Sequence, residues 1–143
     1  HYCTNLPLNA LFSYYASLMD DAQIRRNWKI ALPSELNFSI TDMELCSLLG
    51  NILENVWQGC QSVPPQNRYH ELTVCVKHET SLYIVSSNRF DGRVKKENEV
   101  YLSTRKNGSG IGLSSIATIA ERHRGIAQFS NTENIFMIDV VIE

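Results

Sequence analysis

Two asparagines four residues apart, Asn51 and Asn55, stand inside a stretch with helical apolar spacing. Leu45, Leu48, Leu49, Ile52, Leu53, Val56 and Cys60 mark one face of that predicted helix. Glu44, Ser47, Asn51, Asn55 and Gln58 fall within about 40° of Asn51 on the opposite face. Exposed helix faces usually carry Lys and Glu, whereas this one carries amides. Asn competes with its own backbone for hydrogen bonds and is a poor helix former, so two at mid-helix need a reason. At i and i+4 their side chains meet at one spot. Amide oxygens there could ligate a hard cation such as Mg²⁺ without bringing a full negative charge near phosphates. The competing reading is a solvated polar stripe that binds nothing.

Two further stretches carry possible chemistry. Gly108-Ser109-Gly110-Ile111-Gly112 directly precedes a third predicted helix. Glycines allow close backbone approach, and a helix N-terminus offers free N–H groups and positive partial charge to a phosphate. The pattern is neither the dinucleotide fingerprint nor a Walker A loop, and a plain flexible loop is the alternative. Asn88-Arg89-Phe90-Asp91-Gly92 follows a predicted strand. Asn, Asp and Gly there also suit an ordinary turn.

The elements that must position these residues follow from periodicity. A helix is predicted over 8–24, a short strand over 28–32 stopped by Pro33, and a second helix opened by the capping-box pair Thr41 and Glu44. Strands follow at 72–76 and 82–86, joined by a turn at 79–81. The polar stretch 88–109 reads as a functional loop, too long for a simple connection. The third helix spans 112–124, with Gly125 as its stop, and strands at 127–130 and 135–142 close the chain. This order predicts an α+β two-layer sandwich, a mixed, mostly antiparallel sheet covered on one face by three helices.

Composition narrows the classes. With 143 residues the chain fits one domain, and 43% hydrophobic against 20% charged residues excludes wholesale disorder. A net charge of −2 argues against a general nucleic-acid binder. The four cysteines form no CxxC pair, which disfavours a zinc ribbon and suits a reducing compartment. The four histidines lack metal-ligand spacing, so structural or surface roles are expected. No initiator Met or signal peptide is present, so a fragment of a longer protein is expected.

Taken in order, Asn51-x-x-x-Asn55, Asn88-x-x-x-Gly92 and Gly108-x-Gly110-x-Gly112 resemble the N, G1 and G2 boxes of the GHKL ATP-binding superfamily. The resemblance covers roughly residues 8–143. Leu49-Gly50-Asn51-Ile52-Leu53-Glu54-Asn55 and Gly110-Ile111-Gly112-Leu113-Ser114-Ser115-Ile116 are similar to the boxes of sensor histidine kinases. The opening Leu8-Asn9-Ala10-Leu11-Phe12-Ser13-Tyr14-Tyr15 and the altered G1 box resemble the AgrC-like, peptide-sensing quorum kinases.

The resemblance implies a Bergerat-type fold and roles position by position. Asn51 and Asn55 would hold Mg²⁺ and reach the triphosphate. Asn88 takes the place of the aspartate that accepts from the adenine amino group. It lacks charge assistance, so the bond should be weaker by roughly 1 kcal/mol, and Asn88→Asp is expected to tighten adenine recognition. Phe90 replaces the first G1 glycine and would pack on adenine or fill part of the pocket, while Gly92 keeps the second. Gly108, Gly110 and Gly112 match the G2 glycines, with Ile111 and Leu113 beside them. Residues 88–109 would include the ATP lid, with Arg105, Lys106 and Ser109 reaching phosphates. Gln58 stands where many histidine kinases carry Lys or another polar or charged residue, so one phosphate contact would lose its charge.

The ATPases of the superfamily carry a Glu at the position of Asn51 to activate water. An amide cannot take a proton, so kinase is favoured over hydrolase. The resemblance therefore implies a protein histidine kinase catalytic domain, binding ATP and Mg²⁺ as one unit over 1–143. It would supply phosphoryl groups to a histidine on a dimerisation domain upstream, so the fragment alone is not expected to autophosphorylate. The implied partners are that domain and a response regulator, in a homodimeric sensor anchored in the bacterial plasma membrane by an N-terminal segment, with this domain in the cytoplasm. The alternative is a degenerate module that acts through protein contacts with weak or no ATP binding.

Overall fold

Thr41 starts the helix that the amide face requires. Its hydroxyl accepts from the Glu44 backbone N–H at 3.1 Å, and the Glu44 carboxylate accepts from the Thr41 N–H at 3.2 Å. This reciprocal box satisfies donors that a helix start leaves free. In the computed structural model, which describes residues 1–97, 100–102 and 111–143, the helix so begun is α2 (Asp42–Gln61). Its apolar stripe is buried at every predicted position from Leu45 to Cys60. Each fully buried Leu or Ile on it contributes roughly 1.5–3 kcal/mol.

α2 packs between α1 (Leu6–Asp21) and α3 (Ile111–Arg122). α1 is capped by Asn5, whose side chain accepts from the Leu8 N–H, and its buried face is Leu8, Phe12, Ala16 and Met19. It ends before the predicted residue 24 because Gln23 takes a left-handed φ of 59°. The Ile24 N–H then closes the turn onto Met19 O at 2.8 Å. α3 likewise ends before 124. The left-handed residue there is Arg124, at φ 58°, rather than the predicted stop Gly125. Gly125 serves a different need, since a Cβ on it would stand 2.1 Å from Val141 O.

Five strands form one sheet in the order β1-β2-β3-β7-β6. They are β1 (Arg25–Ala31), β2 (Tyr69–Lys77), β3 (Ser81–Arg89), β6 (Ile126–Asn131) and β7 (Ile135–Ile142). Only β1 and β2 pair in parallel, so the sheet is mixed and mostly antiparallel, as expected. The helices cover one face, where Leu72, Val74, Leu82, Ile84, Ile138 and Val140 meet the stripe of α2. β7 keeps its predicted bounds, whereas β1, β2, β3 and β6 run longer than predicted because ladder pairing continues through polar residues that break apolar alternation. The His70 to Asn88 and Asn88 to Phe136 pairs are examples. The 88–109 stretch is not all loop either. Asn88 and Arg89 complete β3, and β4 (Lys95–Glu97) pairs with β5 (Val100–Leu102) as a small hairpin.

Polar side chains fix the layers to each other. Arg68 donates to Ala22 O at 2.7 Å, Val63 O at 2.8 Å and Gln61 O at 3.2 Å. Its positive charge thus sits at the carbonyl ends of both α1 and α2, where the helix dipoles favour it. Two of the four histidines are buried and structural. His123 on the turn after α3 meets Ser39 at 2.7 Å and Glu44 at 2.9 Å. Among the described residues no helix is long and apolar enough to cross a membrane.

Candidate functional site

α2 presents Asn51 and Asn55 half-buried, with no hydrogen-bond partner for either side chain among the described residues. Gly59 lies four residues past Asn55, one turn further along the same face. Below that end of the helix sits the last part of β3. Asn88 is only 2% exposed there. Its Nδ2 donates to Arg89 O at 2.8 Å, and its Oδ1 has no partner. A buried acceptor without a partner carries a desolvation cost of about 1–3 kcal/mol, so it marks a place where a ligand donor would be welcome. Trp57 Nε1 on α2 is the other such atom among the described residues.

The remaining expected residues fall into four groups. Gln58 is on α2 beside the asparagines, and its Nε2 donates to Glu54 at 3.4 Å. Phe90 turns inward at 8% exposure and meets Phe136 edge-on at 5.7 Å, so it fills the core between β3 and β7. Leu113 is also buried in the core, which leaves its backbone as what it can offer a ligand. Gly112 and the backbone of Ile111 form the first turn of α3. Arg105, Lys106, Gly108, Ser109 and Gly110 lie outside the described residues. Glu44, read from the sequence as part of the amide face, is engaged elsewhere. It holds Arg122 and His123 at 2.9 Å each, and hydrogen bonds from His123, the Thr41 backbone and Arg122 lower its pKa to about 2.

Gly92 is required by its surroundings. It adopts φ 84°, and a Cβ there would stand 2.3 Å from Glu133 O. The Phe90 N–H binds Asn134 O at 3.0 Å beside it. The chain can leave β3 along this path only where no side chain intervenes. Gly92→Ala is expected to destabilise the fold by about 1–3 kcal/mol, which urea unfolding would measure.

Reading by residue type missed Gly59, Cys60 and the Arg89 carbonyl as parts of this site. The Cys60 thiol donates to Arg89 O at 3.4 Å, and burial pushes its pKa up to about 11. The available signal was a glycine inside a helix, where it costs about 1 kcal/mol against alanine.

A mixed sheet with three helices on one face, and an amide-bearing central helix set over a buried acceptor, define the architecture of the chain. The GHKL domain profile matches residues 40–143, and the chain belongs to that family. Solved histidine kinases share the architecture. The catalytic domain of ThkA is 18% identical with a TM-score of 0.69, over 96% of this chain and 90% of that one. Histidine kinase AdeS of Acinetobacter baumannii is 12% identical with a TM-score of 0.66, over 96% of this chain and 63% of that one. Full-length ShkA in complex with AMPPNP is 14% identical with a TM-score of 0.65, over 94% of this chain and 29% of that one. The chain thus spans less than two thirds of AdeS and less than a third of ShkA. No curated protein matches the sequence.

Proposed function

We propose that this chain is the ATP-binding catalytic domain of a sensor histidine kinase. The observation that carries the reading is the α2 face Asn51-Asn55-Gly59 set over the partnerless Asn88 Oδ1. The donor set fits the implied ligands. Two amides on one helix face, bound to no described residue, suit a hard cation beside phosphates, and a buried neutral acceptor suits an exocyclic amine. Bound Mg²⁺ would neutralise phosphate charge, and Asn51 and Asn55 would hold it. Asn88 would accept from adenine. Phe90 would wall the pocket from its core side, and Gly92 would turn the chain away. Gln58, Arg105, Lys106 and the backbone around Gly108, Ser109, Gly110, Ile111, Gly112 and Leu113 would face the triphosphate. The segment between β3 and α3 would be the lid.

Asn51 cannot act as a base, and a histidine nucleophile needs none, because positioning and charge neutralisation dominate phosphoryl transfer. The acceptor histidine would lie on a dimerisation domain of the longer protein, with a response regulator downstream. The AgrC-like likeness of the opening helix and altered G1 box supports a membrane-anchored peptide quorum sensor. Calorimetric titration with ATP or a non-hydrolysable analogue, with and without Mg²⁺, tests the reading. Saturable binding that strengthens with Mg²⁺ supports it. No binding at millimolar nucleotide replaces it with the degenerate module that works through protein contacts.

A further inference from the structure

The N-terminal end of α2 carries a second group of polar side chains, which the nucleotide reading leaves unused. His123 ties three segments together there, and the same bonds arm it for chemistry. Its Nδ1 lies 2.7 Å from Ser39 Oγ, and its Nε2 lies 2.9 Å from Glu44 Oε2. Ser39 is exposed on the chain that leads into α2, whereas His123 is buried. A nucleophile within hydrogen-bond reach of a base, with the base held by a third group, is the arrangement that activates serine for acyl transfer.

Charge fixes the proton positions. Hydrogen bonds from His123, the Thr41 backbone and Arg122 keep Glu44 ionised. A carboxylate only accepts, so Nε2 carries the ring hydrogen. The lone pair on Nδ1 is then left to accept from the Ser39 O–H. Glu44 is itself held in place. Its Oε1 accepts from the Thr41 N–H and hydroxyl, and its Oε2 accepts from Arg122 at 2.9 Å as well. Serine proteases use the two ring nitrogens in the opposite sense, but either nitrogen of a neutral imidazole can be the acceptor. Residues just before Ser39 border a cleft of about 600 Å³. Pro33, Phe38 and Val76 give it apolar walls that suit an acyl group, and the carboxylates of Glu35 and Glu79 disfavour an anionic one.

We propose that Ser39, His123 and Glu44 form a serine nucleophile centre that takes acyl groups from neutral carboxylic esters. Ser39 Oγ bonds to the ester carbonyl carbon as its proton passes to His123 Nδ1. The ester C–O bond breaks, and that proton leaves with the alcohol. Water then attacks the acyl-serine by the same route, which releases the carboxylic acid and returns the hydrogen to Ser39. The N–H groups of Asp42 and Met43, first in α2 and without intrahelical acceptors, are available to the oxyanion. Ser39 and His123 are the catalytic residues, and Glu44 is a positioning residue. The centre needs no nucleotide, so its failure would leave the nucleotide reading untouched.

Hydrolysis of p-nitrophenyl acetate, and labelling by a fluorophosphonate that bonds to serine Oγ with loss of fluoride, test this. The chains compared are the wild type, Ser39→Ala, His123→Gln and Glu44→Gln. Peptide mass spectrometry should place the wild-type label on Ser39 alone, formed about a hundredfold faster than in the same chain unfolded by urea. Ser39→Ala, a change at an exposed position, should fold normally and lose both label and ester turnover. His123→Gln should slow both reactions about a hundredfold. Glu44→Gln keeps the capping box and should fold, yet slow both about tenfold, which a merely structural tie would not do. A label spread over other serines, or formed no faster in the folded chain than in urea, overturns the proposal and leaves these bonds as a structural tie. So does a Ser39→Ala chain with wild-type turnover. Should His123→Gln fail to fold, the wild-type label and Ser39→Ala decide.

Discussion

Asn55→Ala is expected to remove Mg²⁺-dependent nucleotide binding while leaving the fold as stable as before, or slightly more so. Loss of outer partners around a metal already costs ten- to a hundredfold in affinity, so loss of a direct ligand should exceed about a hundredfold. The same change should not harm the helix. Asn55 is half-buried, and its side chain bonds to no described residue. Alanine also propagates a helix better than asparagine by several tenths of a kcal/mol. Binding and stability thus move in opposite directions, which separates a ligand role from a structural one. Calorimetry with and without Mg²⁺, beside thermal unfolding of the same sample, reads both. An unchanged dissociation constant would remove Asn55 from the site.

Acid is expected to destabilise this fold well before its carboxylates are protonated, and His70 is the reason. His70 is fully buried. Trp28 Nε1–H donates to its Nδ1 at 2.9 Å, so its Nε2 carries the hydrogen and binds Ser86 Oγ at 2.9 Å. The ring is satisfied as a neutral group, and burial, with help from Arg26, lowers its pKa from 6.5 to about 3. The unfolded chain therefore takes the proton first. Stability from this residue is complete above pH 6.5 and falls below it, with a slope approaching roughly 1.4 kcal/mol per pH unit, until about pH 3. Glu44 acts in a lower window, since its depressed pKa protects the fold above about 4.5 and is lost only as pH falls toward 2. Between pH 6.5 and 4.5 the two do not overlap. Urea unfolding across that range, compared with His70→Gln, isolates the effect. His70→Gln should be less stable at pH 7 yet lose much less stability on acidification. Parallel profiles for the two chains would show that His70 does not drive the loss.

Much of this structure was legible because local physics decided it. The stripe from Leu45 to Cys60 can be buried only as a helix, and Thr41 with Glu44 states where that helix begins. Three helices and a mixed sheet followed from such periods. Element ends were less legible. Gln23 and Arg124 end their helices in left-handed conformations that their residue type does not announce. β3 continues through Ser87 and Asn88, where polar residues interrupt the alternation that betrays a strand.

For the candidate site, the sequence by itself determined the face of amides, because spacing along a helix is a local property. Only the tertiary structure decided what Asn88, Phe90 and Glu44 do. Phe90 went to the core because Phe136 lies opposite it. Glu44 left the amide face for Arg122 and His123, 78 and 79 residues away in the chain. Asn88 lies beneath Gly59 with its NH₂ end on the Arg89 carbonyl. Hydrogen bonds and close packing act at contact distance between segments remote in sequence, and no local pattern encodes which segments meet.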